Sequence, residues 1–179
     1  MVTGVIDLLI SEKIGSATVA KWSDEREELV LECIFLMTPV APKEFELDRY
    51  LPPTLLRVVI SAGGDNVSKK YDYQSLNAST REPKLEEKES VATLPKEAIK
   101  GLIQKALNIA NKKSEILKKK AVEELTIDIE SEKQRLMKLK QRGAVITEDD
   151  LEFLSDKFSQ SKILIADSSL ALDALRLVF

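Results

Sequence analysis

The sequence predicts an α+β fold, a small antiparallel β-sheet followed by a long helical hairpin. Three observations carry this expectation. The first half of the chain holds short runs rich in Val, Ile, Phe and Trp, broken by turn residues. The second half carries a stripe at spacings of three and four from Ile103 to Leu139. The charge balance shifts between the two: residues 1–90 contain 11 Lys and Arg against 16 Asp and Glu, residues 91–179 contain 16 against 14. Charge and period change together near Pro83 to Leu94. This places a sheet subdomain over 1–90 and a helical hairpin subdomain over 91–179.

The elements follow in chain order. Val2 to Ile10 is apolar at 2, 5, 6, 8, 9 and 10, which suits a short helix packed on the sheet. Ala17–Trp22 and Leu29–Met37 flank the polar stretch SDEREE and are expected to form an antiparallel pair. Phe45–Tyr50 alternates imperfectly and is a weaker strand candidate. Pro52 and Pro53 forbid helix at Leu51 and remove two backbone donors, so a bend or a sheet edge is expected there. Leu55–Ser61 is a third strand, Gly63, Gly64 and Asn66 supply a tight reversal, and Val67–Tyr73 is expected to return as a fourth strand.

Pro95 suits the first turn of a helix of about 45 residues, roughly 65 Å at 1.5 Å per residue. Its stripe passes through Ala110, Ser114, Leu117, Ala121 and Leu125, then meets Asp128 and Glu132, where a kink, a rotation of the buried face or a break is expected. Lys140 to Asp150 specifies a helix stop and a helix start. Lys140 and Arg142 sit in a last turn, Gly143 suits a left-handed cap, and Thr147 caps a helix whose first turn is Glu148, Asp149 and Asp150. Ile146 and Leu151 have the spacing of a hydrophobic staple. The second arm is expected to run through Leu154, Phe158, Ile165 and Leu172, packing antiparallel on the first.

Composition excludes several kinds of chemistry. The 179 residues contain no histidine, which removes the usual neutral-pH general base and the commonest metal ligand together. Cys33 is the only cysteine, so neither an internal disulfide nor a cysteine zinc site can form, and it is expected to be a buried small residue. No stretch approaches the 18 or so apolar residues of a membrane span, and the amino terminus lacks a basic leader, so no membrane role is expected and the cytoplasm is the expected compartment.

No phosphate-binding glycine loop occurs, and Gly63-Gly64 is followed by Asp65, which would repel phosphate. The acids Asp24, Glu25, Glu27 and Glu28 lack the ordered spacing of a calcium loop and are expected to be a solvated loop. Trp22 and Phe35 are expected to be core or cross-strand partners rather than a stacking platform. The one basic concentration is Lys112, Lys113, Lys118, Lys119 and Lys120, within a segment 96–142 that holds 13 Lys and Arg against 7 acids. These lysines are the candidate contact residues for a partner or a nucleic acid. No aromatic residue interleaves with them, and a solvated helix face is the competing reading. No catalytic, cofactor or metal residue is expected.

Three stretches carry a resemblance. RYLPPTLLRVVI (Arg49–Ile60) resembles the Leu-Pro-Pro-Thr-Pro element and following Arg-containing strand near the C-terminus of the RapA (HepA) family; this chain has Leu55 where the family commonly has a third proline. LMKLKQRGAVITEDDLEFL (Leu136–Leu154) is similar to the family's helix hairpin, with Gly143-Ala144 in place of an Asn-Pro turn. LALDALRLV (Leu170–Val178) looks like a near-terminal family signature, and the opening VTGVIDLLISEKIGSATVA is similar to the segment preceding these elements.

The resemblance implies the C-terminal domain of a bacterial helicase-like, double-stranded-DNA-translocating ATPase that associates with RNA polymerase and helps recycle it. It implies that ATP and Mg belong to ATPase domains upstream of the matching stretch, that no catalytic residue transfers to this chain, and that the partners are those parent ATPase domains and core RNA polymerase, with DNA or RNA reached through the parent. The alternative expectation is a free-standing scaffold that self-associates through the Ile103–Leu139 stripe. A small carboxylate enzyme finds no supporting constellation.

Overall fold

The computed structural model of the chain describes residues 16–92 and 95–179. The expected helix at Val2 to Ile10 lies outside the described residues. The strands are β1 (Ser16–Trp22), β2 (Val30–Thr38), β3 (Thr54–Ser61), β4 (Thr80–Arg81) and β5 (Ser169–Val178). The helices are α1 (Tyr73–Ala78), α2 (Leu85–Ala92), α3 (Lys96–Gln141) and α4 (Glu148–Ala166). The α+β class is as the sequence predicts. The five strands form one sheet in the order β3-β2-β5-β1-β4.

The topology departs from the sequence expectation in three places. β1 and β2 are not neighbours, because β5 lies between them and pairs with β1 in parallel, Ser16 opposite Ala174 through Ala20 opposite Val178. Residues 169–178, expected in the second helical arm, are therefore a central strand. The segment after the Gly63-Gly64 turn forms a single bridge, Asn66 with Ile60, and then tight turns in which Lys70 and Tyr71 N–H donate to the Val67 carbonyl. Asp72 next caps α1 by accepting the Ser75 N–H at 2.9 Å, so no fourth strand forms there. Phe45–Tyr50 is built from 3₁₀ turns at Lys43–Phe45 and Leu47–Arg49, with Glu46 left-handed between them at φ 50°.

Other features stand as read. Gly64 takes φ 91° in the reversal after β3. Leu51 is buried and Pro52-Pro53 bend the chain into β3, which is an edge strand. Asp24, Glu25 and Glu27 are exposed on the loop between β1 and β2, whereas Glu28, expected in the same solvated loop, is half-buried and accepts from the Tyr71 hydroxyl and from Lys70 Nζ at 2.9 Å.

The chain divides into two compact units. The first takes the described part of Met1–Leu36 with Leu55–Lys113 and Ala171–Phe179; the second takes Met37–Thr54 and Ser114–Leu170. One core of the first unit gathers Ala20, Trp22, Val30, Val59, Tyr71, Leu76 and Val178. Trp22 is fully buried, with its ring centroid 5.3 Å from that of Tyr71, so Tyr71 and not Phe35 is its aromatic partner. The core of the second unit gathers Met37, Leu47, Leu51, Ala121, Leu125 and Ile165, with Leu117, Ile129 and Phe158 packed against it.

The α3 helix has 46 residues and no break. From Ala110 onward its buried stripe follows the predicted positions, whereas in its first turns Ile99, Leu102 and Ala106 are buried and Ile103 and Leu107 only partly so. α4 returns along it, with Ile165 beside Ala121 and Leu125 and the Lys118 ammonium on the Ala166 carbonyl at 2.8 Å. The turn between them has the hydrogen bonds of a Schellman cap. Ala144 N–H donates to Leu139 O at 3.0 Å, Gly143 N–H donates to Lys140 O at 3.1 Å, and Gly143 has φ 91°. Thr147 and Asp150 then cap each other reciprocally.

Candidate contact surfaces

Two polar nodes organise the described surfaces. In the first unit, Glu32 is a lone acid in the otherwise apolar strand β2 and is only 3% exposed. Arg57, a lone base in β3, donates its Nε–H to Oε1; Arg176, a lone base in β5, donates its Nε–H to Oε2 at 2.7 Å. β2 lies between these two strands, so one carboxylate ties all three together. The remaining fork atoms reach outward: Arg57 Nη1 donates to the Tyr71 carbonyl at 2.8 Å and Arg176 Nη1 to Asn77 Oδ1 at 2.6 Å. Among the described residues neither buried Nη2 group finds an acceptor.

A buried ion triad of this kind adds little net stability against an apolar replacement, because desolvation offsets the attraction. Removing one member leaves the others uncompensated, at a cost of about 3–5 kcal/mol. Its value is specificity of pairing. Its sequence signal is a single acid in β2, a single base in β3, and in β5 a single base three residues after Asp173.

In the second unit, Asp128 sits on the face of α3 where its acid interrupts the stripe. Tyr50 Oη–H donates to Oδ2 at 3.1 Å, and the Arg49 guanidinium lies 2.7 Å from the same oxygen. The acid is thus answered by side chains, which is why the helix needs neither kink nor break there. Burial, then the hydrogen bond to Asp128, raise the Tyr50 hydroxyl pKa above its ordinary value.

The five candidate lysines do not form one patch. Lys113 is half-buried with its ammonium 3.0 Å from the Arg57 carbonyl, and Lys118 is held by the Ala166 carbonyl and Glu115. Lys120 pairs with Glu124 at 3.6 Å. Lys112 and Lys119 are exposed and seven residues apart, on the same side of the helix. Ile116 and Ile127 of the same helix are also exposed. Among the described residues no group of three or more Cys, Asp or Glu is placed to hold a metal ion, and no helix is long and apolar enough to cross a membrane.

The model of the C-terminal region of the RNA polymerase recycling family matches residues 1–179. The chain belongs to the RNA polymerase recycling family. Among curated relatives, it is 27% identical over 181 residues to the RNA polymerase-associated protein RapA of Photobacterium profundum, an alignment that takes in 99% of this chain and 19% of the relative. The chain thus spans about a fifth of that relative's length.

The geometry explains what the family-like stretches do. Arg57 from Arg49–Ile60 and Arg176 from Leu170–Val178 meet on Glu32, while Arg49 and Tyr50 meet Asp128. Leu136–Leu154 builds the capped turn between α3 and α4. In this member of the recycling family Arg49, Arg57 and Arg176 of these stretches are thus engaged inside their own units. Exposed groups such as Lys112, Ile116, Lys119, Ile127 and Val145 remain for contact.

Proposed function

We propose that this chain is a non-catalytic contact module at the C-terminal end of a longer RNA polymerase-associated, helicase-like ATPase, and that it contacts core RNA polymerase and the parent's ATPase domains in the bacterial cytoplasm. The observation that carries the proposal is the end-to-end match to the C-terminal region of a polymerase-recycling family. The engagement of Arg49, Arg57 and Arg176 inside their own units supports it, since arginines that hold the scaffold leave its outer faces free for partners. In this reading ATP and Mg are bound by the parent's upstream domains, and DNA or RNA is met there. The self-association alternative loses its main support: Ala121, Leu125 and Leu117 of the stripe are covered by Ile165 and its neighbours within the chain.

The test is retention of the longer protein on immobilised core polymerase, with and without the region corresponding to residues 1–179. Loss of retention on deletion, with ATPase activity preserved, is the expected result. Unchanged retention and unchanged polymerase recycling would remove the contact role.

A further inference from the structure

Parallel pairing with β5 extends along β1 from Ser16 to Ala20, but β4 pairs with β1 only at Lys21 and Trp22. β4 ends after Arg81, and two residues on Pro83 has no N–H with which to continue a ladder. Among the described residues, Ser16–Ala20 therefore form an open sheet edge.

Strand alternation decides which backbone groups face that edge. Trp22 N–H donates to the Phe179 carbonyl at 3.0 Å, and the Ala20 carbonyl accepts from Phe179 N–H at 3.2 Å, so even-numbered residues of β1 address β5. Ser23 N–H donates to the Ser79 carbonyl at 2.9 Å, so odd-numbered residues address the β4 side. Ala17 and Val19 consequently aim their N–H and C=O groups outward.

The edge is one wall of an open recess of about 580 Å³, completed by Asn77, Thr80, Arg81, Glu82, Lys88 and Arg176. Its lining carries an excess of positive charge: Arg81, Lys88 and Arg176 stand against Glu82. A row of alternating donors and acceptors is answered by another strand, because only a strand offers the complementary row at the same repeat. We propose that this edge of β1 receives an extended, acidic segment of a partner protein, which adds to the sheet in line with β4 and is held by the surrounding cations. Five edge residues correspond to about 17 Å of strand. The site stands whichever protein supplies the segment, so it survives or fails separately from the polymerase assignment.

Fluorescence anisotropy with the 179-residue chain tests the proposal, using a labelled ten-residue peptide that alternates Glu with Val and Thr. Two control probes are a copy with Lys for Glu and a copy N-methylated at alternate backbone nitrogens. The acidic peptide is expected to bind at least tenfold more tightly than either control. Val19→Pro removes one outward N–H at an edge where proline is tolerated, and is expected to weaken binding at least tenfold; Lys88→Glu is expected to weaken it at least threefold. If Val19→Pro fails to fold, judged by circular dichroism, the N-methylated probe still decides. Equal binding of the plain and N-methylated peptides, or no binding of the acidic peptide at millimolar concentration, overturns the proposal. So does a concentration-dependent dimer in sedimentation, which would give the edge to a second copy, or tighter peptide binding after removal of residues 1–15, which would give it to the chain itself.

Discussion

Glu32 shows how one side chain sets the arrangement of three strands. Glu32→Ala leaves two guanidinium groups without their counter-charge, and urea unfolding is expected to show a loss of about 3–5 kcal/mol. A loss under 1 kcal/mol would mean that the node does not hold the sheet. The next residue, Cys33, has its thiol pushed up to about 12 by burial and then by the Glu32 charge. It is expected to resist thiol reagents at pH 8 in the folded chain and to react fully in denaturant; rapid native-state labelling would contradict its burial. The Arg81 fork, then the Lys84 N–H, hold the Glu87 carboxyl well below its ordinary value of 4.5. A depressed carboxyl contributes stability that is fully present above that ordinary value and is lost as the pH falls below it. The melting temperature should therefore drop between pH 5 and 2.5, and Glu87→Gln should flatten part of that drop. An unchanged profile would show that the exposed pair contributes nothing.

Among the elements, the α3–α4 hairpin was the most legible, because its stop and start are written in local chemistry: Gly143 at positive φ, Thr147 with Asp150 at the next cap. Thr147→Ala is expected to cost about 1 kcal/mol by loss of the cap. Gly143→Ala is expected to cost about 1–2 kcal/mol through backbone strain alone, since an added Cβ at that position meets nothing within 4 Å. Thermal melts of both variants check these values, and a neutral Gly143→Ala would contradict the left-handed cap. β5 was the least legible. LALDALRLV is rich in residues that favour helices, and only its sheet neighbours make it a strand, whose period-two burial then appears along Leu170, Leu172 and Ala174. Its place between β1 and β2 is a long-range fact that no local pattern in 16–38 announces. The missed α1 start is different, because Asp72 before Tyr73-Gln74-Ser75 is a cap signal that sequence reading can use.

At the scale of the whole molecule, the family-like stretches were found in the sequence but their work was not. Arg57 and Arg176 lie in motifs more than a hundred residues apart, and their meeting on Glu32 follows from topology rather than spacing. The lysine cluster, conversely, was visible as a run along the chain and divides in space, with Lys113 and Lys118 turned to backbone carbonyls of their own units. In this family member Arg49, Arg57 and Arg176 of the motifs hold each unit in shape. The most direct measurement is competition: core RNA polymerase bound to the full-length parent is titrated with the isolated 179-residue chain. Saturable displacement of the parent is the predicted result, and full retention of the parent at a hundredfold excess of the chain would contradict the contact role.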